Sequence, residues 1–261
     1  MKTKGDTMNT GEENIIFGRK PVFVALSSKD LPYKLMVKEG ENQGSIRQII
    51  ARAVDLKIPI INVPKEALDR INPAHQGVVA YISDFEYTTL ESILLGCAKK
   101  RIDPLLLILD KLMDPYNFGA IIRSAEAMGA NGIIVPRRGN SPVTPTVTKA
   151  ASGATLNMPI AKVSNLAQTI DLLQKSGLWI AAADMSGEPA YTLDLTGPLA
   201  LVIGGEGSGV SRLLKEKSDF LISIPLTGQT QSLNASVAAG IALYEINRQR
   251  GSRKTLHKKD V

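Results

Sequence analysis

The chain has 261 residues, 44% hydrophobic and 21% charged, with a formal net charge of +6; this is an ordinary composition for a folded soluble protein, long enough for one large or two smaller domains. A single cysteine, Cys97, excludes an internal disulfide and fits a reducing cytoplasm, and two histidines, His75 and His257, supply no metal-ligand set. No apolar run reaches the roughly 18 residues of a membrane helix, and the opening MKTKGDTMNTGEEN is polar, so neither a membrane span nor a secretion signal is legible.

The charge is unevenly placed. From Arg248 onward there are Arg248, Arg250, Arg253, Lys254, Lys258 and Lys259 against one acid, Asp260. A basic tail of this kind either touches phosphate backbones or simply keeps the chain in solution. Composition alone does not name a nucleic-acid partner.

Residues 1 to about 13 read as a disordered tail. From Ile15 the stretch IIFGRKPVFVAL begins ordered structure, with a helix opening near Pro21. Residues 33–37 read as a short strand, and Ile46, Ile49, Ile50, Ala53 and Val54 recur at the spacing of a helix with one buried face. Residues 58–63 read as a buried strand, Pro64 opens a short helix, and 77–82 form another strand. Together they make a compact α/β unit of a size that suits a small domain.

Residues 83–87 lack a period and are the candidate linker, followed by a helix over 88–101 that turns Leu90, Ile93, Leu94 and Cys97 inward. Five strands then follow, at 105–109, 132–135, 178–183, 199–203 and 220–224. They are continuously apolar, as strands covered on both faces are. Helical stretches at 118–128, 164–176, 211–217 and 234–250 alternate with them. The alternation predicts an α/β fold with a parallel, doubly wound sheet, whose ligands gather where the strands' carboxyl ends enter loops.

Three segments carry candidate chemistry. In DPYNFGAIIRSAEAMG (114–129), Asn117 is a good N-cap and Gly129 a good terminator. Arg123 lies mid-helix between Ala120 and Ala127, open to a ligand or else paired with Glu126 on a solvated face. The loop IGGEGSG holds Glu206 between Gly205 and Gly207, after Gly204. Its spacing is not that of a dinucleotide fingerprint and it lies late in the chain, so a nicotinamide-dependent oxidoreductase is a weak reading. Glu206 is either a carboxylate in water or one that tight glycine turns present to a ligand.

In SLNASVAAG, Ser232 and Asn234 can cap helix amides, and Ala235, Ala238, Ala239 and Gly240 permit close backbone passage, as an adenosine pocket also requires. No nucleophile elbow is present and no histidine lies near these loops. Proton transfer would therefore fall to Arg123, Glu206, Ser232 or the substrate, which suits group transfer from an activated donor better than hydrolysis.

N-x-G-x-x-x-R (Asn117, Gly119, Arg123), G-x-E-G (204–207) and S-L-N-A-S-V-A (232–238), in this order, closely resemble the motifs of the SpoU/TrmH family of RNA ribose 2′-O-methyltransferases. The HQGVVAYI and FGRKPV segments resemble the small substrate-binding domain of its RlmB-like members. The resemblance covers nearly the whole chain. It implies a C-terminal parallel-sheet α/β domain with a trefoil knot (the SPOUT fold), although knots are disfavoured by general topology rules. It also implies a ribosomal-protein-like N-terminal α/β domain that grips RNA, and a homodimer; the cysteine usage, the lack of a His/Cys ligand set and the lack of an apolar span add the expectation of a cytoplasmic protein with neither metal nor membrane.

On that resemblance, 1–13 is a tail, 14–83 binds RNA, 84–102 is linker and helix, 103–250 is the S-adenosylmethionine-binding domain and 251–261 is a basic tail. Gly204, Gly205, Gly207, Ile224, Leu226 and Leu233 would contact the cofactor. Asn117, Arg123, Glu206, Ser232 and Asn234 would line the reaction centre. The expected reaction transfers methyl to a ribose 2′-OH, with a guanosine of 23S rRNA as the target. A tRNA methyltransferase and a non-catalytic RNA-binding ribosome-assembly protein are the alternatives. Arg123 is the family's candidate to take or steer the hydroxyl proton, although a guanidinium stays charged and is suited instead to holding a phosphate.

Overall fold

The computed structural model describes residues 14–27, 31–82 and 85–257. The expected tail at 1–13, Ser83 and Asp84 of the expected linker, and residues 258–261 lie outside them. The chain divides into two compact units, Met1–Phe85 with Pro142–Pro145, and Glu86–Ser141 with Thr146–Val261.

In the first unit, strands β1 (Asn14–Phe17), β2 (Lys34–Lys38), β3 (Ile60–Val63) and β4 (Val78–Ile82) form a sheet in the order β1-β4-β2-β3. β4 runs antiparallel to both neighbours, while β2 and β3 are parallel. Because successive strand residues face opposite sides, Val78 and Ala80 join Val22, Leu26, Ile46 and Ile49 of helices α1 (Arg19–Ala25) and α2 (Ser45–Asp55) and the segments that follow them. Val79 and Tyr81 pack instead with Ile15 and with Leu68 of helix α3 (Lys65–Ile71).

Three expectations change here. Val54 is 62% exposed, because it lies about 100° around the helix from Ala53, past the edge of the buried stripe. β3 is half exposed rather than buried, since it forms one edge of the sheet. A four-residue strand, β1, precedes α1, and the helix opens at Arg19, two residues before Pro21.

The second unit opens with helix α4 (Leu90–Lys100), whose N-cap Thr89 accepts a hydrogen bond from the Ser92 amide and which buries Leu90, Ile93 and Cys97. Its sheet comprises β5 (Leu105–Asp110), β6 (Gly132–Pro136), β7 (Ile160–Val163), β8 (Trp179–Pro189), β9 (Leu199–Gly204) and β10 (Phe220–Ser223). All neighbours are parallel, in the order β10-β8-β9-β5-β6-β7. β7 is a strand not expected from the sequence, and β8 continues well past residue 183.

One face of this sheet packs Leu106, Ile108, Ile180, Ala200 and Val202 against α4, helix α7 (Leu166–Lys175) and helix α8 (Arg212–Lys217). The alternate residues Leu105, Leu107, Leu199, Leu201 and Ile203 are equally buried on the other face. Helices α5 (Pro115–Ala127) and α9 (Ala235–His257) contribute Phe118, Ile121, Ile122, Ala239, Leu243 and Ile246 to the core.

Arg250, counted from the sequence with the basic tail, belongs to this fold. Its guanidinium donates to the main-chain oxygens of Asp103 (3.2 Å), Pro104 (3.1 Å) and Gly197 (2.5 Å). Arg248 is likewise engaged, by Glu245 at 2.7 Å.

Candidate active site

β5 and β9 lie side by side at the middle of the six-stranded sheet, with Asp110 opposite Gly204. From β5 the sequence continues outward to β6 and β7, whereas β8 and β10 lie beyond β9. This reversal creates the crevice in which open α/β sheets bind ligands, at the carboxyl ends of the two strands. The loops that leave Asp110 and Gly204 carry two of the three motifs.

The glycine loop is tied down by Asp110, a buried residue that ends an otherwise apolar strand. Its main-chain oxygen accepts from the Gly205 amide (2.8 Å), and its carboxylate Oδ2 accepts from the Ser211 amide (2.8 Å). Between these two anchors the chain folds back, with the Gly209 amide donating to the Gly205 oxygen at 3.1 Å. A side chain at Gly204 would overlap the main chain of Gly209 and Val210, and one at Gly205 would overlap the Lys111 carbonyl. Gly207 has φ 81°, a conformation that glycine adopts without strain. Glu206 is therefore presented, exposed, at the tip of a closed turn.

After β5, Asp114 rather than Asn117 caps α5. Its carboxylate accepts from the amides of Tyr116 (3.3 Å) and Asn117 (3.0 Å), and Pro115 occupies the first helical position. With the cap supplied elsewhere, the Asn117 side chain is free to work across the crevice. Its Nδ2 donates to Glu206 Oε1, and its Oδ1 accepts from Asn234 Nδ2 at 3.0 Å.

Asn234 also caps α9, its Oδ1 accepting from the Ser236 amide (2.9 Å), the Ser236 hydroxyl (2.6 Å) and the Val237 amide (3.3 Å). One continuous hydrogen-bonded line thus joins the starts of both helices to the glycine loop. Two expected site residues stand off it. Arg123 is exposed, and its Nη1 reaches Ser152 Oγ at 3.4 Å, while Glu126 accepts from Asn157 at 3.5 Å. Ser232 is exposed and makes no hydrogen bond among the described residues.

Ile224, Leu226 and Leu233 are half-buried along the segment that leads from β10 into α9. Among the described residues, main-chain groups of 225–233 have no hydrogen-bond partner. Apolar side chains next to unpaired main-chain donors and acceptors offer what a flat heterocycle with a polar edge requires. Sequence reasoning missed Asp110, Asp114 and Ser152; the signal for the first was an acid closing the apolar run LLLILD. No group of three His, Cys, Asp or Glu able to hold a metal occurs among the described residues, and no described helix is long and apolar enough to cross a membrane.

Residues 104–244 match the SpoU rRNA Methylase family, and residues 15–88 match the family described as RNA 2′-O ribose methyltransferase substrate binding. The chain is 42% identical over 241 residues to YacO of Bacillus subtilis (strain 168), named for the TrmH family of tRNA/rRNA methyltransferases, covering 92% of this chain and 97% of that one. Among solved structures, it resembles the SpoU methyltransferase AviRb from Streptomyces viridochromogenes in complex with the cofactor AdoMet (TM-score 0.60, 27% identity, 94% and 95% of the two chains). The A. aeolicus TrmH/SpoU tRNA modifying enzyme is also similar (TM-score 0.55, 29% identity, 62% and 86%). Its three motifs joined at one crevice and its sequence matched over both units, this chain belongs to the SpoU rRNA methylase family and is an RNA 2′-O-ribose methyltransferase.

Proposed function

We propose that the protein transfers the methyl group of S-adenosylmethionine to the ribose 2′-OH of a guanosine in 23S rRNA, acting in the cytoplasm as a homodimer. The observation that carries this reading is the line Asn234 to Asn117 to Glu206, which brings the three motifs to one point. When bound, the donor supplies a methyl group already activated by a sulfonium. The protein's task is then alignment, worth up to roughly 7–11 kcal/mol.

Ile224, Leu226 and Leu233, with the glycine turn of Gly204, Gly205 and Gly207, would hold the adenosyl group. Asn117, Glu206 and Asn234 fix the geometry of the crevice, and Ser232 faces the incoming sugar. Arg123 holds an RNA phosphate next to the 2′-OH, and its positive charge eases loss of the hydroxyl proton to water. Residues 14–83 serve as the RNA-gripping domain, residues 103–250 as the catalytic one. The exposed stripe Val237, Ile241 and Tyr244 on α9 supports pairing of two copies.

A tRNA substrate is the second reading, favoured by the likeness to the A. aeolicus tRNA modifying enzyme. Tritiated-methyl transfer to unmodified 23S rRNA and to tRNA, with mapping of the alkali-resistant linkage, separates the two. Label in neither RNA overturns both.

A further inference from the structure

Some cations of the catalytic unit are held by acids or carbonyls, while others, Lys99, Lys100, Arg101 and Lys175 among them, are exposed without a side-chain partner among the described residues. Away from the crevice many are engaged: Lys215 with Asp184 at 3.0 Å, Lys217 with Asp171 at 2.5 Å, Arg212 with Glu216 at 3.1 Å, and Arg250 with carbonyls. Lys111, at the carboxyl end of β5, Arg137 and Arg138, at that of β6, and Lys149, further along the chain, are all exposed, and none has a side-chain partner among the described residues.

Topology brings the first three together. β5 and β6 are in parallel register with Ile108 opposite Ile134, so Lys111 and Arg137 each follow directly on the carboxyl end of one of two neighbouring strands. The two departing loops are then stitched together. Asn140 Oδ1 accepts from the Leu112 amide at 2.6 Å, and the Ser141 amide donates to the Leu112 oxygen at 2.7 Å.

The Arg137 amide is held by the Val163 oxygen at 2.8 Å. Lys149 sits on helix α6 (Pro145–Ala150), which packs on α5 at Gly119, one turn before Arg123. The acids at the same edge are already committed, Asp114 to capping α5 and Glu206 to Asn117. A rigid edge of unneutralised cations beside the reaction centre is what a polyanion backbone requires.

We propose that Arg137 and Arg138, with Lys111 and Lys149, form a second RNA-contacting surface within the catalytic unit, holding phosphates that flank the ribose presented to Arg123. The proposal rests on the RNA methyltransferase reading but places substrate contact outside residues 15–88, the segment matched to substrate binding.

The test is fluorescence anisotropy of the full chain with a labelled, mixed-sequence single-stranded RNA of roughly 16 nucleotides, titrated at several salt concentrations. For the variant R137A/R138A, the slope of log K against log salt is expected to fall in magnitude by about 1.4, the share of two phosphates on a single strand, with affinity down at least tenfold at low salt. R137K/R138K should restore the slope. K99A/K100A, at the far end of α4, should match the wild type.

An unchanged slope and affinity in R137A/R138A overturns the proposal, as does an equal loss in K99A/K100A, which would assign the effect to diffuse charge. A localised slope loss in R137A/R138A, together with no methylation of any RNA by the wild type, would overturn the methyl-transfer reading while leaving this surface standing.

Discussion

Asn234 and Asn117 meet amide to amide at 3.0 Å across 117 positions of sequence, and the same Asn117 side chain donates onward to Glu206. An asparagine is required at the middle of this line because it must donate on one side and accept on the other. Asn117→Asp keeps the acceptor facing Asn234 but sets a carboxylate against Glu206, whereas Asn117→Ala removes both contacts without repulsion. Losing a hydrogen bond to a charged group corresponds to about tenfold to a hundredfold in rate. Methyl transfer is expected to fall by at least that much in both variants, and further in Asp than in Ala. Initial rates on unmodified rRNA decide it; an Asp variant faster than the Ala variant would disprove the bridging role.

The long apolar runs made the sheet legible, because strands such as LLLILD and LALVIG are buried on both faces and leave no other reading. β7 was not legible: IAKV is four residues long and places Lys162 over the ring of Tyr87, a contact formed only once the chain has folded. The site residues were visible as motifs, but their connections were not. Asn117 has the composition of a cap, and only the structure shows Asp114 taking that role and releasing Asn117 to the crevice. Arg250 likewise read as tail charge until three carbonyls from distant loops converged on it.

Arg123 separates two chemistries. A guanidinium that holds a phosphate acts through its fixed charge, and a lysine replaces that charge but not its planar fork. Arg123→Lys is therefore expected to retain methyl transfer within about tenfold, with the same pH dependence as the wild type between about pH 6 and 8. A loss of several thousandfold in Arg123→Lys, or a new titration in that range, would mean that Arg123 itself handles the proton.

Gly119 marks where α5 and α6 touch. A methyl group there would overlap the Ala150 side chain and the main chain at Val147 and Ala151. Backbone cannot rotate aside as a side chain can, so Gly119→Ala is expected to cost about 1–3 kcal/mol, despite alanine's better helix propensity. Urea unfolding measures it. A variant as stable as the wild type would show that the two helices can separate freely.

Arg250 closes the opposite end of the sheet, and burial draws its guanidinium below the ordinary arginine range without discharging it. Arg250→Ala leaves the carbonyls of Asp103, Pro104 and Gly197 without their donor, a loss of about 2–3 kcal/mol. Arg250→Lys, with one ammonium in place of a fork, should recover only part of that. Full recovery by lysine, measured by thermal unfolding, would reduce the contact to simple charge.

Asp184 supplies an acid-sensitive element remote from the chemistry. The Ser186 hydroxyl at 2.7 Å and amide at 3.0 Å, aided by Lys215 at 3.0 Å, hold its carboxyl down to about 2. A carboxyl depressed in the folded state stabilises the fold above its unfolded pKa of about 3.9, and that stabilisation is lost as pH falls through the folded value. Screened by solvent at this partly exposed position, the contribution is about 1 kcal/mol. Asp184→Asn keeps the acceptor for Ser186 but cannot ionise. Urea unfolding of the wild type is thus expected to exceed that of Asp184→Asn by about 1 kcal/mol at pH 7, with the gap closing as pH is lowered from about 4 toward 2. A gap of constant size across that range would show that packing rather than ionisation holds the Asp184 turn in place.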